Sequence, residues 1–220
     1  MLLQTQPASL RRVSWRVGLL VSSRRSTFRL GMELRRRGIF PFSLLPSDVI
    51  PLDLRVVIVS KEFEKKIVGP RVIVWTEDLC PEDIVDRAVY LLNSEDDSAG
   101  AVIGVDPGKE IGVAVVTDGR VLRTDVFESV NEAIEGVLRQ VSILTNSMKT
   151  VKIGSGGQEY SSDIMSTLKL LLPKGVEIQK VEEWGTSKHA QSVNHSRRTR
   201  NVASATAIAL RQGKPLPRGA

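Results

Sequence analysis

Apolar positions in the first part of the chain fall into short β-branched runs separated by segments of helical spacing. Arg16–Ser22 (RVGLLVS), Phe40–Leu45, Arg55–Ser60 (RVVIVS) and Arg71–Thr76 (RVIVWT) are of strand length and read as strands. Between and after them, two segments predict helices. Ser26–Arg37 has Ser26 as the expected N-cap and Gly38 as its stop. Pro81–Leu92 opens on a proline and two acids and repeats apolar residues at Ile84, Val85, Ala88, Val89 and Leu92. Such alternation predicts a small open α/β sheet. No glycine-rich phosphate loop follows its first strand, where Ser22-Ser23-Arg24-Arg25 stands instead, so an accessory structural or binding role is expected.

The pattern breaks at Asn93–Gly100, which is polar, small and aperiodic. Beyond it, Ala101–Asp106, Ile111–Thr117 and Val121–Phe127 read as three strands joined by Gly108-Lys109-Glu110 and Asp118-Gly119-Arg120, and Asp-Gly is a strong hairpin signal. A helix over Ser129–Leu144, a strand over Thr150–Gly154, a helix over Ser161–Leu172, a strand over Val176–Val181 and a small-residue helix over Asn201–Arg211 follow. The order β-β-β-α-β-α-β-α is that of the ribonuclease H layout. The expected fold class is therefore α/β, a ribonuclease H-like mixed sheet with helices, preceded by a small open α/β domain. The expected division is a basic arm without fixed structure at 1–13, an accessory α/β domain at 14–93, a linker at 94–100, the ribonuclease H-like domain at 101–213 and a tail at 214–220.

Charge sharpens this picture. Residues 1–37 carry a net +8 and residues 188–220 a net +7, so 38–187 carries −9 of the overall +6. Two basic ends around an acidic centre suit a polyanion that needs both phosphate contacts and metal. Solvated tails are the plainer reading of the extreme ends. The one cysteine, Cys80, excludes a disulfide framework or a paired-cysteine metal site. Val17–Val21 is too short for the apolar core of a signal peptide, and no run of membrane-spanning length exists, so a cytoplasmic protein without membrane association is expected.

Asp106 leads the candidate chemistry. It ends the apolar strand VIGVD and is followed by Pro107-Gly108 and the strand IGVAVV. A carboxylate at the carboxyl end of a central strand is held rigidly at the crevice where α/β sheets bind ligands. An aspartate that merely starts a turn is the alternative.

VIGVDPGKEIGVAVV resembles the first motif of the RuvC-type Holliday junction resolvases and of the related YqgF family. Val181-Glu182-Glu183-Trp184-Gly185-Thr186-Ser187 is similar to a strand-end motif of YqgF, and Asn201–Gln212 is similar to its last helix. The resemblance covers about half the chain, 101–213. It implies a carboxylate site for Mg²⁺ or Mn²⁺, in which paired hard cations activate water and stabilise the leaving oxygen during phosphodiester hydrolysis. Asp106 matches the first acid and Glu183 the second, with Asn201 completing the catalytic set. The pattern departs at its third position: the family's last helix begins with an acid where this chain has Asn201, and RuvC-type enzymes add an acid where it has Ser204. Asparagine offers a carbonyl oxygen without charge. Glu159 is the substitute acid the sequence offers.

Lys188, Arg197, Arg198 and Arg200 form an acid-free basic run before the last helix and are the expected phosphate contacts, a solvated loop being the plainer reading. The leading expectation is a metal-dependent nuclease acting on structured DNA or RNA. The alternative is a catalytically impaired nucleic-acid-binding protein on the same fold. A phosphotransferase of the actin or hexokinase type is disfavoured, because its two domains do not fit the residues present. RuvC-type resolvases act as dimers on two-fold junctions, and the resemblance leaves room for a homodimer.

Overall fold

In the computed structural model the described residues are 16–93, 100–144, 149–182 and 197–217, with backbone alone at 197 and 198. The expected arm at 1–13, the linker apart from Gly100 and the last three residues of the tail lie outside them. The chain divides into two compact units, Met1–Ala88 and Val89–Ala220. Among the described residues no helix is long and apolar enough to cross a membrane.

The first unit contains β1 (Val17–Leu20), α1 (Arg24–Arg36), β2 (Phe42–Ser43), β3 (Val56–Ser60), a 3-10 turn over Lys61–Lys66, β4 (Arg71–Trp75) and the first part of α2 (Pro81–Asn93), whose last residues belong to the second unit. Its strands are all parallel, in the order β2-β1-β3-β4. Every residue of β3 is buried, as a central strand covered on both faces requires. Leu30 and Leu34 bury one stripe of α1. Two expectations are corrected here. The helix is capped by Ser23, whose hydroxyl accepts from the Ser26 amide at 3.3 Å, while Ser26 lies buried inside the helix and donates to Glu77 Oε1 at 2.9 Å. The second strand is two residues long rather than six: Pro41 precedes it and cannot donate to a ladder, and beyond it the Leu45 amide turns to Asp48 Oδ2 at 2.8 Å.

The second unit holds β5 (Ala101–Asp106), β6 (Ile111–Thr117), β7 (Arg120–Phe127), α3 (Val130–Ile143), β8 (Lys149–Gly154), α4 (Gln158–Leu171), β9 (Val176–Val181), α5 (Arg197–Leu210) and β10 (Lys214–Pro215). Its sheet runs β10-β9-β8-β5-β6-β7. Strands β5, β8 and β9 are parallel, and β6 is antiparallel to both β5 and β7. That order, with the second strand reversed, is the ribonuclease H-like sheet. Asp118 and Gly119 both take positive φ, 49° and 73°, as the tight turn of the β6–β7 hairpin demands.

One face of this sheet carries the main core. Ile103, Val105, Val113, Val115, Val151, Ile153 and Ile178 meet Ala133, Ile134, Val137 and Val141 of α3 and Ile164 and Leu168 of α4. Each of these Val, Ile and Leu side chains contributes about 1.5–3 kcal/mol on burial. Helix α5 covers the other face at unusually close range. A Cβ on Gly104 would overlap the Ala205 carbonyl oxygen and sit 2.7 Å from the Ala209 amide nitrogen. Helix backbone thus rests on strand backbone, and only glycine below and alanine above allow it.

Several boundaries differ from expectation. Helix α4 begins three residues earlier, at Gln158, because Gly157 in a left-handed conformation closes the turn from β8. Helix α5 begins at Arg197, placing Asn201 one turn inside it rather than at its start. The apolar periodicity begins at Val202, so the basic first turn carried no signal. Strand β10 lies in the segment read as a tail, pairing Lys214 with Lys180 and Pro215 with Gln179.

Candidate functional site

Asp106 ends β5, which lies between β8 and β6. Its cross-strand partner is Gly112. A Cβ on Gly112 would overlap the carbonyl oxygen of Asn201, so the second turn of α5 lies directly on the strand position opposite Asp106. Residues 95 apart in sequence are thereby brought to one place. Asp106 and Asn201, both half-buried, line an open crevice of about 380 Å³ together with Gly108, Lys109, Glu110 and Arg200.

Glu110 is the residue that sequence reasoning missed. In the sequence it stands only as the last residue of the turn Gly108-Lys109-Glu110. Its Oε2 accepts from Asn201 Nδ2 at 3.0 Å. A carboxylate can only accept, so this bond fixes the amide with nitrogen toward Glu110 and leaves Oδ1 as the acceptor. A lone glutamate in a turn gives no periodic or motif signal. The only clue was its place four residues after Asp106 at the mouth of the same hairpin.

Arg200 is exposed in the first turn of α5 and lines the crevice, and Lys109 does so from the turn. Glu159 is exposed in the first turn of α4 and does not line it. Gly157 before α4 serves a close approach: a Cβ there would stand 2.9 Å from the Pro107 carbonyl oxygen. Ser161 Oγ donates to the Gly154 carbonyl at 2.8 Å and tightens the same turn. Ser204 is half-buried on α5. Glu182 is exposed at the end of β9, 3.5 Å from Lys214 Nζ. Glu183, Lys188 and the side chains of Arg197 and Arg198 lie outside the described residues.

The far end of α5 is held by Lys152 of β8. Its Nζ donates to the Ala209 carbonyl at 3.0 Å and, at closer range, to the Arg211 carbonyl. A cation at the carbonyl end of a helix satisfies its last acceptors and opposes the helix dipole. Burial pushes the Lys152 ammonium below the usual lysine range, and Glu177 partly offsets this.

Among the described residues no group of three or more Asp, Glu, His and Cys side chains could hold a metal ion. The donor set in the crevice consists instead of two carboxylates, Asp106 and Glu110, with the amide oxygen of Asn201. Oxygen-only donors suit a hard divalent cation in kind.

No family model and no curated protein matches the sequence. Among solved structures, similarity is low. Aa-Ago with externally bound siRNA is 12% identical with a TM-score of 0.29, covering 76% of this chain and 35% of that one. The Argonaute of Marinitoga piezophila, in complex with 5′ OH guide RNA and target DNA, is 10% identical with a TM-score of 0.28, covering 77% and 39%. This chain thus spans little more than a third of either Argonaute chain. The ribonuclease H-like fold of the second unit rests on its own strand order and polarity.

Proposed function

We propose that the second unit binds structured nucleic acid at the Asp106 crevice and hydrolyses phosphodiester bonds there with Mg²⁺ or Mn²⁺, in the manner of the YqgF and RuvC-type nucleases. The observation that carries this reading is the convergence of Asp106, Asn201 and Arg200 on one open crevice at the end of a central strand. Asp106 and Asn201 would hold the cation, with Glu183 as a further acid. The cation supplies an activated water and a counter-charge for the leaving oxygen. Arg200 and Lys109 line the crevice and would contact phosphates, a role proposed also for Lys188, Arg197 and Arg198. The sequence motif VIGVDPGKEIGVAVV supports the relationship to YqgF and RuvC.

Titration of Mn²⁺ into the protein and into Asp106→Ala tests the reading, followed by cleavage assays on junction, RNA and single-stranded substrates. Asp106→Ala is expected to weaken Mn²⁺ binding by at least about 10-fold, since even outer-shell changes at metal sites cost that much. Metal-dependent cleavage should disappear with it. A wild-type protein that binds neither metal nor nucleic acid would sink the proposal.

A second reading has its own observation. Asn201 brings no charge, and Arg200 and Lys109 line the crevice beside its acids. A protein so built would bind nucleic acid without cutting it. Salt-sensitive binding without metal-dependent cleavage would identify it.

A further inference from the structure

The resemblance places an acid at the position of Asn201, and this chain has none there. We infer that Glu110 is an anionic ligand of the crevice beside Asp106, so that the charge absent from α5 is supplied from the β5–β6 turn. This inference rests on the metal-binding reading above and deepens it.

Three observations converge. Glu110 lines the same crevice as Asp106. Its carboxylate lies 3.0 Å from the Asn201 amide, within reach of the space an acid at 201 would occupy. The packing that joins them is close, because a Cβ on Gly112 would overlap the Asn201 carbonyl oxygen, so α5 rests directly on the strand beside Glu110. An aspartate at 201 facing Glu110 at that distance would set two like charges together, which either share a proton or require a cation between them. With asparagine there, the amide nitrogen neutralises that conflict. Oε2 of Glu110 takes the hydrogen bond and Oε1 is the oxygen available to a cation. The site then keeps two carboxylates, Asp106 and Glu110, and Asn201 supplies a neutral oxygen. Glu110 is a metal ligand on this reading and Asn201 is oriented by it.

The competing role for Glu110 is a simple tether of α5 to the turn. Glu110→Gln separates the two, because glutamine keeps an oxygen to accept from Asn201 while removing the charge. The measurement is the rise in Tm of the full chain on adding Mn²⁺, taken for the wild type, Glu110→Gln, Asn201→Asp, the double variant E110Q/N201D and Asp106→Ala. A ligand that binds only the folded state raises stability according to its affinity. The expected result is a Mn²⁺-dependent rise in the wild type that Glu110→Gln largely removes, corresponding to about 10-fold or greater weakening. Its Tm without metal should stay near that of the wild type. The double variant moves the charge from the turn to the helix and should recover the rise. Asn201→Asp should lower Tm without metal and respond to Mn²⁺ at least as strongly as the wild type.

Should Glu110→Gln keep the full metal response while Asp106→Ala loses it, the metal reading stands and Glu110 is only a tether. No response in the wild type overturns both readings together.

Discussion

At the carboxyl ends of β1 and β3 in the first unit, polar side chains are committed to one another, whereas at the end of β5 in the second they line an open crevice. Ser60 Oγ accepts from the Ser22 amide at 3.0 Å and lies 3.2 Å from the Ser22 hydroxyl. Glu62 is held below the usual carboxylate range by its own backbone amide first and by Ser22 second. Ser26 is bonded to Glu77, and Ser23 caps α1. Parallel α/β sheets ordinarily bind ligands at this edge, and here the ends of β1 and β3 are joined by short hydrogen bonds. In the second unit the equivalent edge gathers Asp106, Glu110, Lys109, Arg200 and Asn201 around open space. Polarity at a strand end therefore does not by itself mark a site. Polar groups are bonded to neighbours in both units, and what separates the two is that those of the second also line open space.

A second contrast lies in how each unit tolerates added volume, and it gives the largest expected effect. Gly104→Ala places a Cβ onto the backbone of α5, and Gly18→Ala places one 3.0 Å from the ends of the Leu44 and Leu54 side chains. Backbone cannot give way as rotamers can. Gly104→Ala is expected to destabilise the second unit by about 3 kcal/mol, and Gly18→Ala the first by about 1 kcal/mol. Denaturation followed by amide exchange in each unit measures both. Equal losses would mean that α5 can lift off the sheet freely.

Next in size is Lys152→Met. It removes a charged donor from the α5 carbonyl end, at a cost of roughly 1–2 kcal/mol. The lower end of that range is expected, because burial already penalises the ammonium and methionine relieves this. Faster amide exchange confined to the last turn of α5 is the signature. Unchanged exchange there would show that the small-residue packing alone fixes the helix. The smallest effect is expected of Ser60→Ala, about 0.5–1 kcal/mol, since water can replace the lost acceptor near exposed Ser22. Its thermal midpoint is the readout. A loss above that of Lys152→Met would reverse the ordering and make the joined strand ends of the first unit a main source of its stability.

Much of the fold was legible from local pattern. The β6–β7 hairpin was readable because Asp118-Gly119 can take two positive φ angles in succession. Strand β9 falls on Val176–Val181 as expected, its alternating apolar residues bounded by Pro173-Lys174-Gly175. The errors fell where local signals compete or vanish. Two serines three residues apart could each have capped α1, and the choice of Ser23 depends on where β1 ends. The first turn of α5 is basic and aperiodic, so the apolar pattern starts a turn later than the helix does. A two-residue strand such as β10 has no period to read.

The sequence by itself determined the alternation of elements and put Asp106 at a strand end, because side-chain period and turn chemistry act over a few residues. Only the tertiary structure decided that Glu110 bonds Asn201 across 91 residues. That contact depends on two glycines, Gly104 and Gly112, letting α5 settle backbone to backbone on the sheet. Their role is invisible in a linear chain, since a glycine in a strand reads the same whether a helix rests on it or solvent does.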